Sequence, residues 1–277
     1  MRVSSDLPDD VPVLHDALVA LRAHKHGEPL TLYLKNCGTA LRFLQVHIDR
    51  CYAGEPIILT GDPRLMERNG APTSQTTSAL LMHGENIPEA PDESPYITMT
   101  RRLVSIYQPC MADHLERDWS ATAFWYEYVA IYGDVLLLEG LNDISLQGDR
   151  IVADIYARYF GVETEFVSAG ARISKSSISN LQSSISLNFE RTPDLYPAIA
   201  LTCERLGITL HATGTERLAY KESNRLEAVA MHQTRHDHRM AMALLVADLP
   251  VDDTDCIAKS YPTFLAQWQA LKAAREA

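Results

Sequence analysis

The amino-acid sequence predicts an α/β fold made of repeated units. Three observations carry this: helical and strand-like patterns alternate, the alternation returns in three rounds of similar size, and each round is too short to bury its apolar face alone. In the first round, apolar spacing predicts a helix over 11–23, the alternating strand Leu30–Leu34, a helix over Thr39–Cys51 and a strand over Pro56–Thr60. The second has a helix near Ser120–Tyr132, a strand at Val135–Leu138, a helix over Arg150–Phe160 closed by Gly161, and a strand over Val162–Phe166. The third has a helix over Asp194–Leu206 closed by Gly207, a strand over Ile208–Ala212, and helical segments near 222–232 and 238–249. The least regular stretch, Gln108–Arg117, is the best place for a domain crossover, which divides the chain into domains at 1–113 and 114–277. Segment Ser174–Ser186, rich in Ser and Ile, reads as loop or edge strand.

With 277 residues and 46% hydrophobic content, the chain can bury a sizeable core. Its formal charge of -11 argues against nucleic acid as a partner, so an anionic substrate has to be met by a local basic pocket. Cys37, Cys51, Cys110, Cys203 and Cys256 are odd in number, scattered, and form no C-x-x-C pair. That pattern argues against a disulfide framework or a zinc ribbon and suits a reducing compartment. No run approaches the roughly 18–20 apolar residues of a membrane span, and Met1–Asp6 holds no apolar signal core, so the expectation is a cytoplasmic protein away from membranes.

Several segments have residue types suited to chemistry. Asn36-Cys37-Gly38-Thr39-Ala40-Leu41-Arg42 joins a strand to a helix, where free N–H groups and the dipole favour an anion; the alternative is a helix capped by Asn36 or Thr39 with Gly38 in the turn. Lys221-Glu222-Ser223-Asn224-Arg225 would set Lys221 and Arg225 four apart on one helical face beside a carboxylate, against the alternative of a solvated helix start. His236-Asp237-His238-Arg239 opens a very apolar helix. A metal set could be drawn from His232, His236 and His238, although no acidic ligands of familiar spacing accompany them and Asp237 could simply cap. Thr192-Pro193-Asp194 looks like a helix start, and Arg64 and Lys259 would each pass alone as surface charge.

In order along the chain, these segments resemble the signature stretches of the 5-enolpyruvylshikimate-3-phosphate synthases, a family of enolpyruvyl transferases. Asn36–Arg42 is similar to N-A-G-T-A-x-R, 61–68 to G-x-x-R-M-x-x-R, and Thr73-Ser74-Gln75 with 78–82 to the S-S-Q segment and its helix. Pro95-Tyr96-Ile97, Asp118-Trp119-Ser120-Ala121, Gln147-Gly148-Asp149 and Pro193-Asp194 follow. Then come 221–225 for K-E-T-D-R, 237–241 for D-H-R-M-A, and Lys259-Ser260-Tyr261-Pro262 for K-S-Y-P. The resemblance implies two domains, each of three β-α-β-α-β-β units about a pseudo-threefold axis, with substrates in the cleft between them. The first domain would lie on the shikimate 3-phosphate side and the second on the phosphoenolpyruvate and catalytic side. The implied reaction joins phosphoenolpyruvate to the 5-hydroxyl of shikimate 3-phosphate and releases phosphate, with no metal and no organic cofactor. It gives Arg64, Arg225, Arg239, Lys259 and Gln75 to phosphoenolpyruvate. Thr73, Ser74, Gln75, Ser94, Asp194 and Lys221 go to shikimate 3-phosphate, with Tyr96 beside Ser94. Asp194 would accept the hydroxyl proton, Glu222 would protonate the methylene carbon and later remove a proton, and Lys221 would tune the site.

The sequence also departs from that pattern. The family's K-S-x-S-N-R segment has no counterpart, and the stretches at 68–73, 108–117 and 229–236 are short, so strands of some units are expected to be missing. Exposed edges would then favour weak self-association of an otherwise monomeric chain. Thr73, Arg217 and Asn224 replace Ser, Asn and Asp. A second expectation follows from these gaps: a non-catalytic relative that binds anions or a partner chain. A transferase acting on nucleotide sugars fits the motifs less well, and a relative that cyclises RNA ends conflicts with the acidic charge.

Overall fold

The computed structural model describes residues 8–67, 73–106, 116–176 and 181–276. Two compact units divide the chain, Met1–Tyr107 and Gln108–Ala277. Most of the stretch expected to hold the crossover, Gln108–Arg117, lies outside the described residues.

Unit 1 opens with α1 (Asp10–Ala23), β1 (Leu30–Tyr33), α2 (Gly38–Cys51) and β2 (Ile57–Thr60). β1 and β2 pair in parallel, Leu30 beside Ile57 and Tyr33 beside Thr60. A parallel pair needs a crossover, and α2 provides it. Buried Ala40, Leu41, Leu44 and Ile48 form one stripe of α2, which packs with Leu21, Leu32, Leu34 and Leu65 into the unit's core. The cap of α2 is neither Asn36 nor Thr39: the Cys37 thiol accepts from Ala40 N at 3.3 Å, and Gly38 is already helical. Beyond β2 come α3 (Pro63–Glu67), α4 (Ser74–Met82) and α5 (Pro95–Ile106). Gly61, before α3, needs its missing side chain because a Cβ there would sit 2.5 Å from the Lys35 carbonyl oxygen.

Unit 2 is built on α6 (Trp119–Tyr132), buried on nearly every side as an all-round apolar helix must be. It ends at Gly133 in the left-handed region (φ 83°), as α7 (Val152–Phe160) does at Gly161 and α8 (Tyr196–Leu206) at Gly207. β3 (Leu136–Glu139), β4 (Val162–Val167) and β5 (Gly170–Lys175) form an antiparallel sheet in the order β3-β5-β4. β6 (Ser184–Asn188) pairs in parallel with β7 (Thr209–Thr213), with α8 as the crossover. The fold is thus α/β, with small sheets of two, three and two strands among the described residues. Three helices follow: α9 (Arg225–Met231), α10 (His238–Val246) and α11 (Phe264–Glu276).

Several expected boundaries shift. The helices expected from Arg150 and Asp194 begin as 3-10 turns, Gly148–Ile151 and Pro193–Leu195, and become α-helical only at Val152 and Tyr196. Pro197 lies in the first turn of α8, where its missing N–H breaks no helical bond. Segment Ser174–Ser186 is divided: Ser174 and Lys175 close β5, and Ser184 opens β6, one strand of a parallel pair. The helix expected from Glu222 starts only at Arg225, because Lys221 is extended (φ -74°, ψ -163°). Lys221 and Arg225 therefore do not share a helical face.

Candidate active site

In unit 2, the loops before α8, α9 and α10 converge on a set of buried charges. Asp194 lies in the 3-10 turn at Pro193–Leu195. Its Oδ1 accepts from Arg225 Nη1 at 2.7 Å and lies 3.1 Å from Lys221 Nζ, while Oδ2 is 3.4 Å from Arg239 Nη2. Lys221 and Arg225, expected to meet on a helix, meet instead on this carboxylate. Burial pushes the Asp194 carboxyl up, but Arg239, Lys221 and Arg225 outweigh that and hold it well below the ordinary carboxylate value.

Arg225 is only 2% exposed and is anchored from behind. Its Nε donates to Asp237 Oδ2 at 2.9 Å, and Ser223 Oγ donates to the same oxygen at 3.1 Å. Asp237 Oδ1 caps α10 by accepting from Arg239 N at 3.0 Å, so the capping expectation describes one oxygen and the buried ion pair the other. Burial alone would drive the Arg225 proton off, yet Asp237 and Asp194 keep the guanidinium charged.

Glu222 is the second focus. Its Oε2 is 2.8 Å from His238 Nδ1, and its Oε1 accepts from Lys259 Nζ at 2.5 Å. Burial raises the Glu222 carboxyl, and His238 and Lys259 together overcome this and hold it well below its usual range. Lys259 ends a 3-10 turn, Asp255–Lys259, well before α11. The set Asp194, Lys221, Glu222, Arg225, Arg239 and Lys259, spread over 66 positions of sequence, thus forms one ionic neighbourhood. His238 and Asp237 belong to it, although the sequence offered them only as a possible metal ligand and a helix cap.

Two further motifs join beside it at the start of α6. Asp118 caps this helix, accepting from Ser120 N at 2.8 Å, and Gln147 Oε1 accepts from Trp119 N at 2.9 Å. Ser120 Oγ donates to the buried Asp149. Burial, followed by the charge of Asp194, pushes the Asp149 carboxyl up to about 6. The Asp149 role was missed because its partners lie 29 and 45 positions away.

In unit 1, Gln75 ties two sequence motifs together. Its Nε2 donates to Thr39 Oγ1 at 2.9 Å, and its Oε1 accepts from Arg42 Nη1 at 2.8 Å. Thr73 precedes α4 as its N-cap, with its hydroxyl buried and without a hydrogen-bond partner among the described residues. Ser74 opens α4, so the N-terminal end of that helix carries these three side chains. Ser94 precedes α5 and its carbonyl accepts from Ile97 N and Thr98 N; Tyr96 lies in the first turn of α5. Arg64 lies on the short α3, while Arg68 falls outside the described residues.

The three histidines considered for a metal take separate partners: His232 pairs with Glu204, His236 with Asp253 and His238 with Glu222. Two other groups have ligand atoms close enough to share an ion, Glu222 with Asp237 and His238 in unit 2, and His47 with Cys51 and His83 in unit 1. The first is already engaged by Lys259 and Arg225. No helix among the described residues is long and apolar enough to cross a membrane.

A family model described as EPSP synthase (3-phosphoshikimate 1-carboxyvinyltransferase) matches residues 109–235, which include Asp194, Lys221, Glu222 and Arg225. A 3-phosphoshikimate 1-carboxyvinyltransferase of Bacteroides fragilis is 28% identical over an alignment covering 78% of this chain and 66% of that protein. A protein of the same name from Methanosphaerula palustris is 24% identical over 89% of this chain and 80% of its own length. One from Sulfurovum is also 24% identical, over 86% and 78%. The chain therefore spans about two thirds of the Bacteroides relative and somewhat more of the other two. Over residues 109–235 the chain is thus similar to the EPSP synthase family model, and over most of its length to these 3-phosphoshikimate 1-carboxyvinyltransferases.

Proposed function

We propose that the chain transfers the enolpyruvyl group of phosphoenolpyruvate to the 5-hydroxyl of shikimate 3-phosphate, releasing phosphate, as a step of aromatic amino acid biosynthesis. The observation that carries this reading is the pair of carboxylates Asp194 and Glu222, each held by cations suited to anionic substrates. Asp194 accepts the 5-hydroxyl proton as that oxygen bonds to C2 of phosphoenolpyruvate, and Glu222 delivers a proton to C3. Glu222 then removes a proton from C3 as the C2–O bond to phosphate breaks, which restores the double bond. No metal or organic cofactor enters these steps.

Paired with these cations, both carboxylates are held well below their usual range. The cations responsible include Arg239 and Lys259, the groups the reading gives to phosphoenolpyruvate together with Arg64, Arg225 and Gln75. An incoming phosphate and carboxylate draw Arg239 and Lys259 away, which raises both carboxyls toward the range where they exchange protons. Arg225 stays behind, fixed by Asp237. In unit 1, the α4 start with Thr73, Ser74 and Gln75 supports binding of shikimate 3-phosphate, since a helix N-terminus with hydroxyl donors suits a phosphate. Ser94, Asp194 and Lys221 complete that set. On this reading 1–113 is the shikimate 3-phosphate side and 114–277 the catalytic side, in a cytoplasmic protein that is monomeric or weakly self-associating.

The test is phosphate release by purified chain given both substrates, with Glu222→Gln as control. The expected result is release that falls by roughly 10²–10⁴ in the variant. No release from folded protein at saturating substrates would refute this reading. It would favour a non-catalytic relative that binds anions, which the tight internal pairing of Asp194 and Glu222 also accommodates.

A further inference from the structure

Outside the charged cluster, unit 1 brings together three good metal donors on adjoining elements. His47 and Cys51 stand four residues apart on α2, and thus on one face, and His83 follows the last turn of α4. One ligand atom from each lies within 4.8 Å of the other two, and the His47 and His83 rings are 5.2 Å apart between centroids. We propose that His47, Cys51 and His83 form a site for a borderline-soft divalent cation such as Zn²⁺, with three protein ligands and a fourth position open to solvent.

The donor set argues for this class of ion. Two imidazole nitrogens and one thiolate suit zinc, whereas magnesium and calcium require oxygen donors. Tetrahedral zinc with bonds of about 2.0–2.3 Å sets ligand atoms roughly 3.3–3.8 Å from one another. The grouping therefore has to close by at most about 1.5 Å, which side-chain rotation can supply because Cys51 and His83 are exposed. As the S–Zn bond forms, the thiol proton leaves to solvent and the electron pair stays on sulfur, so no oxidant or reductant is needed.

The supports are rigid. Residues Leu44 and Ile48, flanking His47 on α2, are core residues, and Tyr52 presents its ring edge-on to His47 at 5.8 Å. The His83 backbone N–H donates into the last turn of α4, and Arg50 of α2 pairs with Glu85, two residues beyond His83. A cation here would cross-link α2 to the end of α4, the two helices that carry Thr39, Arg42 and Gln75. The scattering of the cysteines along the sequence hides the site, since only one of its three ligands is a cysteine.

Zinc titration of the purified chain in competition with a coloured chelator, and Co²⁺ substitution followed by absorbance, test the proposal. The expected result is one equivalent of zinc bound and a thiolate-to-cobalt charge-transfer band. Cys51→Ser should abolish that band, and Cys51→Ser and His83→Ala should each weaken zinc at least tenfold. Both positions are exposed, so circular dichroism should show the variants folded. Absence of the charge-transfer band, or variants that bind as the parent does, would overturn the proposal; the second outcome would place the ion elsewhere, for example at Glu222, Asp237 and His238.

Discussion

Glu127 lies on α6 in the middle of the unit 2 core, 0% exposed, and neither carboxylate oxygen has a hydrogen-bond partner among the described residues. Burial alone pushes its carboxyl well above the ordinary value of 4.5. The folded chain therefore holds a proton there that the unfolded chain gives up near pH 4.5, so this group's contribution to stability is complete below that pH and is lost as pH rises. The slope is about 1.4 kcal/mol per pH unit wherever the folded carboxyl keeps its proton and the unfolded one has lost it. A neutral carboxyl without a partner costs about 1–3 kcal/mol more at any pH. Glu127→Gln should remove the first effect and retain the second, whereas Glu127→Leu should remove both. Urea denaturation of the parent and both variants at pH 5, 6 and 7 separates these effects. The expected outcome is a stability advantage for both variants that grows with pH, with Leu above Gln by a constant margin. A difference independent of pH, or a Leu variant weaker than the parent throughout, would refute the argument and require a buried partner for the carboxylate.

Arg225→Met leaves Asp237 buried beside no cation, and urea denaturation should show a loss of about 3–5 kcal/mol. Acid works in the opposite direction from Glu127. Asp194, Glu222 and Asp237 are all depressed, so the stability they confer is complete above about pH 5 and is lost as pH falls through their folded values; the parent's urea midpoint should drop between pH 5 and 3. Gln75→Ala removes the bonds to Thr39 and Arg42, should cost about 1–2 kcal/mol, and should raise the KM for both shikimate 3-phosphate and phosphoenolpyruvate, since the proposed function gives Gln75 to each. Binding of phosphoenolpyruvate should take up protons, seen by calorimetry in buffers of different ionisation enthalpy; zero uptake across pH 5 to 7 would contradict the cation exchange proposed for Arg239 and Lys259.

What the sequence made legible is what local physics decides. The ends of α7 and α8 follow from Gly161 and Gly207, each of which takes the left-handed conformation that stops a helix. The stripe of α2 follows from apolar spacing alone. The start of α9 was not legible, because Lys221 and Glu222 are drawn out of helical conformation toward Asp194, His238 and Lys259, partners 16 to 37 positions away. The Cys37 cap was hidden for a related reason: Asn36 and Thr39 are the better capping residues by type, and Thr39 is instead engaged by Gln75. The motifs around Ser120 and Asp149 were visible separately, but their junction is a tertiary contact that no spacing rule reports.

The charge balance of the cluster explains why so acidic a chain can be matched to anionic substrates. Asp194, Glu222 and Asp237 face Lys221, Arg225, Arg239 and Lys259, so the neighbourhood is roughly neutral within a chain whose formal charge is -11. A cluster with its cations exposed would attract any phosphate, whereas here each cation already has a carboxylate partner. On the proposed function, an anion would enter by exchanging with those carboxylates, and the exchange would release Asp194 and Glu222 as proton-transfer groups. Asp237 caps α10 and holds Arg225 from the buried side, so the proposed exchange would leave that guanidinium fixed and draw on Arg239 and Lys259. On that reading the three carboxylates divide their work by position: Asp237 anchors, and Asp194 and Glu222 serve once their cations are taken.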